Sequence, residues 1–260
     1  MRTFVFGDLH GAGLELQFFI KQYDIKPGTD SIYLVGDIFD RGLHGHIIWY
    51  LIQDYNIKVL RGNHEQKFIQ YLKGERKTVP AHYTWALNNL VDKGVKIDDF
   101  FNFLISTPLL INLNDVIIAH AGVLPENPLE ENISANIYGS LPPNLPMPIP
   151  NPKDGKTYWW DLYQGDYLVL YGHLSTFDGL PRYGYNLKGN INSIGLDTAT
   201  VHGGALTAYC IEDKQIYTYK SGVDYFSKLK KTYNQNYPEP SLNVTNWIKE
   251  NMAKNLNTTI

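Results

Sequence analysis

The sequence predicts an α/β protein with a mostly parallel sheet. Three observations carry that expectation. Short apolar runs alternate with helical patterns through the first third of the chain. Each early run ends on a glycine beside a polar residue, as a strand does when it feeds a tight turn. The 260 residues, 43% of them hydrophobic and 19% charged, are enough to bury a substantial core and too apolar for a disordered chain.

In chain order, Thr3–Phe6 reads as a strand and Leu14–Gln22 as a helix. Ser31–Val35 is a strand and Ile47–Asp54 a helix. Lys58–Leu60 is a short strand and Glu65–Leu72 a helix. Such alternation is the mark of βαβ units. Ala81–Val91 and Asp98–Leu104 read as two further helices. Leu109–Leu113 and Val116–Ala119 are strands joined by a hairpin-like turn at Asn114-Asp115. From Leu124 to Pro152 the chain holds eight of its 14 prolines, too dense for a helix or central strand, so an extended loop is expected. Leu168–Tyr171, Ile191–Ile194, Ala205–Ile211 and Gln215–Tyr219 read as strands. Val244–Leu256 reads as a closing helix with Trp247, Ile248 and Met252 on one face.

Composition excludes several classes. The 23 Lys+Arg against 26 Asp+Glu give a net charge of -3, so no long nucleic acid is expected as partner. No run of 18 apolar residues offers a membrane span. A lone cysteine, Cys210, cannot form an internal disulfide, which suits a reducing compartment, and its apolar surroundings suggest a buried small hydrophobe. Met1-Arg2-Thr3-Phe4 does not begin like a secretory signal, so a cytoplasmic location is expected.

Chemistry-bearing residues recur after the strands. They are Gly7-Asp8-Leu9-His10-Gly11, Gly36-Asp37-Ile38-Phe39-Asp40-Arg41-Gly42, Arg61-Gly62-Asn63-His64-Glu65, His120-Ala121-Gly122 and Gly172-His173. Ligand sites in open α/β sheets form at the carboxyl ends of strands, so the five segments should converge. Carboxylate, imidazole and amide oxygen together suit a hard or borderline divalent metal. Two such ions about 3.5–4 Å apart can clamp a phosphoryl group and lower the pKa of bound water to about 7.

The ordered set Gly-Asp-x-His-Gly, Gly-Asp-x-x-Asp-Arg-Gly and Arg-Gly-Asn-His-Glu, with two later Gly-flanked histidines, resembles the signature of the calcineurin-like metallophosphoesterases. Its Asp-Arg-Gly and Asn-His-Glu forms resemble the phosphoprotein phosphatase branch. The likeness runs from Gly7 to about Tyr209. It implies an α/β fold of the calcineurin-like kind, a four-layer αββα sandwich with a dinuclear metal site at strand carboxyl ends. It implies one catalytic domain over residues 1–260, with a Pro-rich flap at about 124–156. In it, Asp8 and His10 would hold one metal, Asp37 would bridge, and Asn63, His120 and His173 would complete the second. His64 would act as general acid, oriented by Asp40, while Arg41 and Arg61 would grip phosphate oxygens. The implied cofactors are two divalent ions, Mn²⁺ in bacterial members and Fe or Zn in others, serving an in-line attack by a bridging hydroxide.

This sequence departs from the usual pattern in places. His120-Ala121-Gly122 stands where relatives often have His-Gly-Gly, and a second His-Gly-Gly lies at His202. His120 is the preferred ligand because it follows the apolar run Val116–Ala119. Ala199 replaces the usual Gly after Asp197-Thr198, and Leu174-Ser175 follows His173 in place of the common Thr-Pro. His44, His46 and His82 read as surface or packing residues, and Trp159-Trp160 as core packing. The first functional reading is hydrolysis of phosphoserine, phosphothreonine and phosphotyrosine in proteins, with a phosphoprotein or a small phosphorylated substrate as partner. The alternative is a diadenosine polyphosphate or nucleotide phosphoanhydride hydrolase. Trp159-Trp160-Asp161-x-Tyr163-x-Gly165 ahead of Gly172-His173 resembles the nucleotide-cleaving relatives, although no base-binding motif stands out.

Overall fold

A computed structural model describes residues 1–141, 156–235 and 238–257. The first half runs β1 (Thr3–Phe6), α1 (Gly13–Gln22), β2 (Ser31–Leu34), α2 (Gly45–Asp54), β3 (Lys58–Val59), α3 (Asn63–Leu72), α4 (Ala81–Asp92) and α5 (Ile97–Ser106). Then come β4 (Leu110–Leu113), β5 (Val116–Ala119), α6 (Ile133–Tyr138), α7 (Trp159–Leu162) and β6 (Leu168–Tyr171). The chain ends through β7 (Arg182–Tyr185), β8 (Ile191–Gly195), β9 (Ala205–Cys210), β10 (Gln215–Lys220), α8 (Tyr225–Gln235) and α9 (Leu242–Asn257).

The strands make two mixed five-stranded sheets, ordered β10-β9-β1-β2-β3 and β4-β5-β6-β8-β7. In the first, β1, β2 and β3 are parallel, and β9 and β10 add antiparallel. In the second, β5, β6 and β8 are parallel, and β4 and β7 close the edges antiparallel. The single, mostly parallel sheet expected from alternation is thus two sheets, each with a three-stranded parallel centre.

Period-two alternation shows why. Phe4 and Phe6 point into a helix-covered core with Leu16 and Phe19, whereas Val5 between them points into a second core with Val35, Ile118 and Leu170. In β5, Val116 and Ile118 face that inter-sheet core, while Ile117 and Ala119 face Trp159, Trp160 and Tyr163. Both faces of each central strand are dry, so the strands read as unbroken apolar runs. The result is a layered α/β arrangement, helices on one sheet and the shorter aromatic α7 region on the other. Trp159 is buried as expected, and its indole N–H donates to the Ala121 carbonyl at 2.8 Å, which satisfies the one polar atom such burial would strand.

The departures are local. The stretch read as an extended loop contains α6, made possible by the proline-free run between Pro128 and Pro142. Asn132 caps it by accepting from Ala135 N–H at 3.1 Å, and Gly139 ends it in the left-handed region. The densest prolines of the expected flap, within 142–155, lie outside the described residues. β7 was hidden by Gly184 in its middle, and α8 by its low apolar content. In α9, Val244, Trp247 and Ile248 pack on the helix-side core, but Met252 stays at the surface. Cys210 is buried in β9 as expected, and among the described residues no helix is long and apolar enough to cross a membrane.

The turn between β8 and β9 keeps its shape without the usual glycine. Ala199 adopts φ +59°, with its N–H bonded to Asp197 Oδ1 at 3.0 Å. A left-handed L-residue costs about 1 kcal/mol. Ala199→Gly should therefore raise stability by about 1 kcal/mol, seen as a melting temperature about 2–4 °C higher. A lower melting temperature would show that the buried methyl matters more than the strain.

Candidate active site

Every parallel strand of both sheets ends at one place. Asp8 and His10 follow β1, Asp37, Asp40 and Arg41 follow β2, and Asn63 and His64 open α3 just past β3. His120 follows β5, His173 follows β6, and Asp197 follows β8. Close approach of these turns depends on glycine. A Cβ on Gly172 would collide with the Asp8 carboxylate, and one on Gly36 would lie 2.6 Å from the Gly62 amide nitrogen.

The donor atoms fall into two sets that share Asp37. In one, His10 Nε2 lies 3.9 Å from Asp8 Oδ2 and 3.7 Å from Asp37 Oδ2. In the other, His120 Nε2 lies 3.5 Å from Asp37 Oδ1, 3.2 Å from Asn63 Oδ1 and 3.2 Å from His173 Nδ1. Ligands about 2.1 Å from one ion stand roughly 3–4 Å from each other, so the spacing suits a cation in each set. The tautomers agree. His10 Nδ1–H donates to Asp40 Oδ1 at 2.9 Å and His120 Nδ1–H to the Val35 carbonyl at 3.2 Å, which leaves each Nε2 lone pair facing inward.

Charge gives the same result. Burial, then Asp197 and Asp37, push the Asp8 carboxyl well above its ordinary range. Burial lowers His10 to about 4 and His120 to about 3, so both rings are neutral ligands at pH 7. Asn63 Oδ1 faces only lone pairs; rotated by half a turn, the amide nitrogen would instead donate to Asp37 Oδ2 at 2.9 Å. In that orientation the amide oxygen would accept from Lys67 Nζ at 3.2 Å; only with a cation between Asn63, Asp37 and His120 would Oδ1 be the atom turned inward. The residues present therefore fit two divalent ions.

Beside the donor sets lies a buried histidine–carboxylate pair. His64 Nδ1 is 2.6 Å from Asp40 Oδ2, and its ring stacks on Tyr83 at 5.3 Å. Burial opposes charge on His64, but Asp37 and Asp40 outweigh it and raise its pKa. Asp40, despite full burial, is held well below the ordinary carboxylate range by His64 and His10. Arg41 reaches His10 Nε2 at 2.9 Å and His64 Nε2 at 3.1 Å, while its buried Nε finds no hydrogen-bond partner among the described residues. That guanidinium suits an anionic oxygen.

Arg61 Nη2 donates to the carbonyls of Ile105 at 2.9 Å and Thr107 at 3.0 Å, tying the β3–α3 turn to the α5–β4 connection. His202, the competing ligand, stands apart from the donor sets beside Phe177 and Phe226. His44 packs on Tyr225 and His46 bonds Asn89, as packing residues would. His82 is no surface residue: it is largely buried, with Nε2 3.2 Å from Asp40 Oδ2. No spacing in the sequence points to that contact. Asp197 was also missed, although its apolar-strand-then-Asp pattern repeats that of Asp8 and Asp37. It accepts from Ser175 Oγ at 2.6 Å.

Glu65 ties the turns together. Its carboxylate accepts from Asp37 N–H at 2.7 Å, Gly62 N–H at 3.0 Å and Ile38 N–H at 3.0 Å. Burial and the Asp37 charge push its pKa up to about 7, against those hydrogen bonds. Glu65→Gln would set amide N–H groups against backbone donors. It should lower unfolding free energy by about 2 kcal/mol and weaken divalent-ion binding together, in denaturant titration and calorimetry. An unchanged denaturation midpoint would remove Glu65 from this role.

Parallel strand ends carrying carboxylates and imidazoles around two cation positions define a metal-dependent phosphoester hydrolase. The sequence matches that class over residues 1–255, and the chain belongs to the calcineurin-like phosphoesterase family. It is 33% identical over 138 residues to the symmetrical bis(5'-nucleosyl)-tetraphosphatase of Actinobacillus pleuropneumoniae, a match covering 52% of this chain and 50% of that one. The chain thus spans about half the length of these curated relatives. It is 28% identical over 241 residues to the asymmetrical bis(5'-nucleosyl)-tetraphosphatase PrpE of Oceanobacillus iheyensis, covering 83% of this chain and 90% of that one. Among solved structures, one assigned provisionally as a diadenosine tetraphosphatase superposes with a TM-score of 0.64 at 22% identity, over 84% of this chain and 93% of that one. A Saccharomyces cerevisiae protein serine/threonine phosphatase superposes with a TM-score of 0.52 at 15% identity, over 85% and 80%. Both likenesses speak for the fold.

Proposed function

We propose that the protein hydrolyses dinucleoside polyphosphates at a phosphoanhydride bond, using two divalent ions. The observation that carries this choice is the relationship to bis(5'-nucleosyl)-tetraphosphatases, one of them matched over 83% of this chain. The catalytic centre alone does not discriminate, because a phosphomonoester presents the same phosphoryl group. Phosphoprotein hydrolysis, the first reading of the sequence, becomes the competing arm of the test.

Ions held by Asp8, His10, Asp37, Asn63, His120 and His173, with Mn²⁺ the proposed metal, would activate water near neutral pH and neutralise the phosphoryl oxygens. The chain's own residues do the rest. Arg41, whose Nη1 and Nη2 lie beside His10 Nε2 and His64 Nε2, would hold the phosphoryl oxygens. Against burial, Asp37 and Asp40 raise the His64 pKa, and His64 would give an Nε2 proton to the leaving phosphate oxygen as the anhydride bond breaks, once Arg41 has turned from Nε2 to the phosphate. Asp40 Oδ2 holds the His64 ring through Nδ1, His82 Nε2 stands 3.2 Å from that same oxygen, and His10 takes the other one, Oδ1. Arg61 would be the second phosphate ligand through Nη1, since its Nε and Nη2 are engaged by Thr107 and Ile105.

Purified protein with Mn²⁺ should cleave diadenosine tetraphosphate with a far higher kcat/KM than phosphoserine, phosphothreonine or phosphotyrosine peptides. A peptide turned over more efficiently than the dinucleotide would sink this reading. Asp37→Asn should lose metal and turnover together. His64→Asn should keep metal, measured by calorimetry, and lose roughly 10²–10⁴-fold in kcat; unchanged kcat would remove the general-acid assignment.

A further inference from the structure

Four residues past His173, the β6–β7 connection presents an aromatic ring to solvent. Phe177 is 77% exposed, an unusual state for so large an apolar side chain beside a buried polar centre. Leu174 and Leu180, on the same connection, are exposed as well. The loop is not loose. Thr176 N–H donates to the Asp197 carbonyl at 2.9 Å, Thr176 Oγ1 donates to the Leu180 carbonyl at 2.5 Å, and Ser175 Oγ donates to Asp197 Oδ2 at 2.6 Å. Asp197 itself sits among the buried carboxylates, so the ring is positioned from the catalytic centre outward.

A line of rings connects it to the phosphate grip. Phe177 lies 5.7 Å from the half-buried His202 ring, His202 lies 5.2 Å from Phe226, and Phe226 covers the Arg41 guanidinium at 5.6 Å. An anionic group on Arg41 would therefore have an aromatic surface within a few ring widths. A flat, uncharged heterocycle joined to a phosphate chain matches both ends of that line. Stacking on an aromatic face accepts any base, because every base has a π-face.

We propose that Phe177, backed by His202, is the stacking shelf for a nucleobase of the substrate. This rests on the dinucleotide reading above and adds a base subsite that the sequence did not reveal. Phe177 binds and positions; it has no part in the bond-breaking step.

The test is equilibrium binding to the full chain in Mn²⁺. The probes are etheno-ADP, followed by its own fluorescence, and inorganic pyrophosphate, followed by competition. Phe177→Ala should weaken etheno-ADP about tenfold, within the ordinary loss for a stacked base, and leave pyrophosphate within twofold. Phe177→Tyr should bind like the original. Equal etheno-ADP affinity in Phe177→Ala, or an equal loss of pyrophosphate, would overturn the shelf. The pyrophosphate arm also reports whether the variant has kept its fold. Cleavage is read separately. If diadenosine tetraphosphate is not cleaved while etheno-ADP binding still depends on Phe177, the proposed function fails and the shelf stands.

Discussion

Three backbone N–H groups converge on one buried carboxylate, and the site is organised around that convergence. Glu65 holds the turn after β2, through Asp37 and Ile38, against the turn after β3, through Gly62. The arrangement is closed from the other side, where Asp37 Oδ1 accepts the His64 amide at 2.9 Å. Each turn thus supplies an acceptor to the other. Without these bonds, the donors would be buried and unsatisfied, a cost of about 1–3 kcal/mol each. The same knot places Asp37 between the two donor sets and His64 beside Asp40.

Around that knot the backbone is bent away from its comfortable conformations. His10, Asp37, Arg41 and His173 all have positive φ, between +45° and +70°. Each costs of order 1 kcal/mol, and together they aim four side chains inward from turns too short to do so otherwise. The surrounding sandwich over-determines them: dry strands on both sides leave the turns no room to relax. Electrostatics adds a second constraint. Asp8, Asp37, Asp40, Glu65 and Asp197 are all nearly or fully buried. So many carboxylates in one place require positive charge, and His64, Arg41 and bound cations are the means at hand.

The catalytic centre and its rim answer different questions. The centre recognises a phosphoryl group, which phosphopeptides and dinucleotides share. Discrimination must come from what lies beside it, because binding energy away from the reacting atom is what separates two substrates with the same reacting group. On this chain the rim includes an exposed aromatic ring held by hydrogen bonds to Asp197 and a guanidinium roofed by Phe226. That combination is what the proposed base shelf rests on.

Much of this was legible in the linear chain. Strand ends appear in the sequence because a buried strand must be apolar and the turn that follows must be glycine-rich and polar; Asp8, Asp37, Asn63, His120 and His173 are all marked that way. Order and spacing then pointed to the family. Partnership was not legible. His82, in α4, meets Asp40 in the turn after β2, 42 positions earlier, and Arg61 Nη2 meets the Ile105 and Thr107 carbonyls, more than 40 positions later. Phe177 and His202 stand 25 residues apart and look unrelated until β6, β8 and their loops are packed. One sheet became two for the same reason. Periodicity along a strand reports that both faces are dry, but which layer dries each face is a non-local matter. Which residues carry chemistry, and where the strands end, can be read along the chain; which of those residues meet is a matter of packing, because hydrogen bonds and stacking depend on distances that only packing sets.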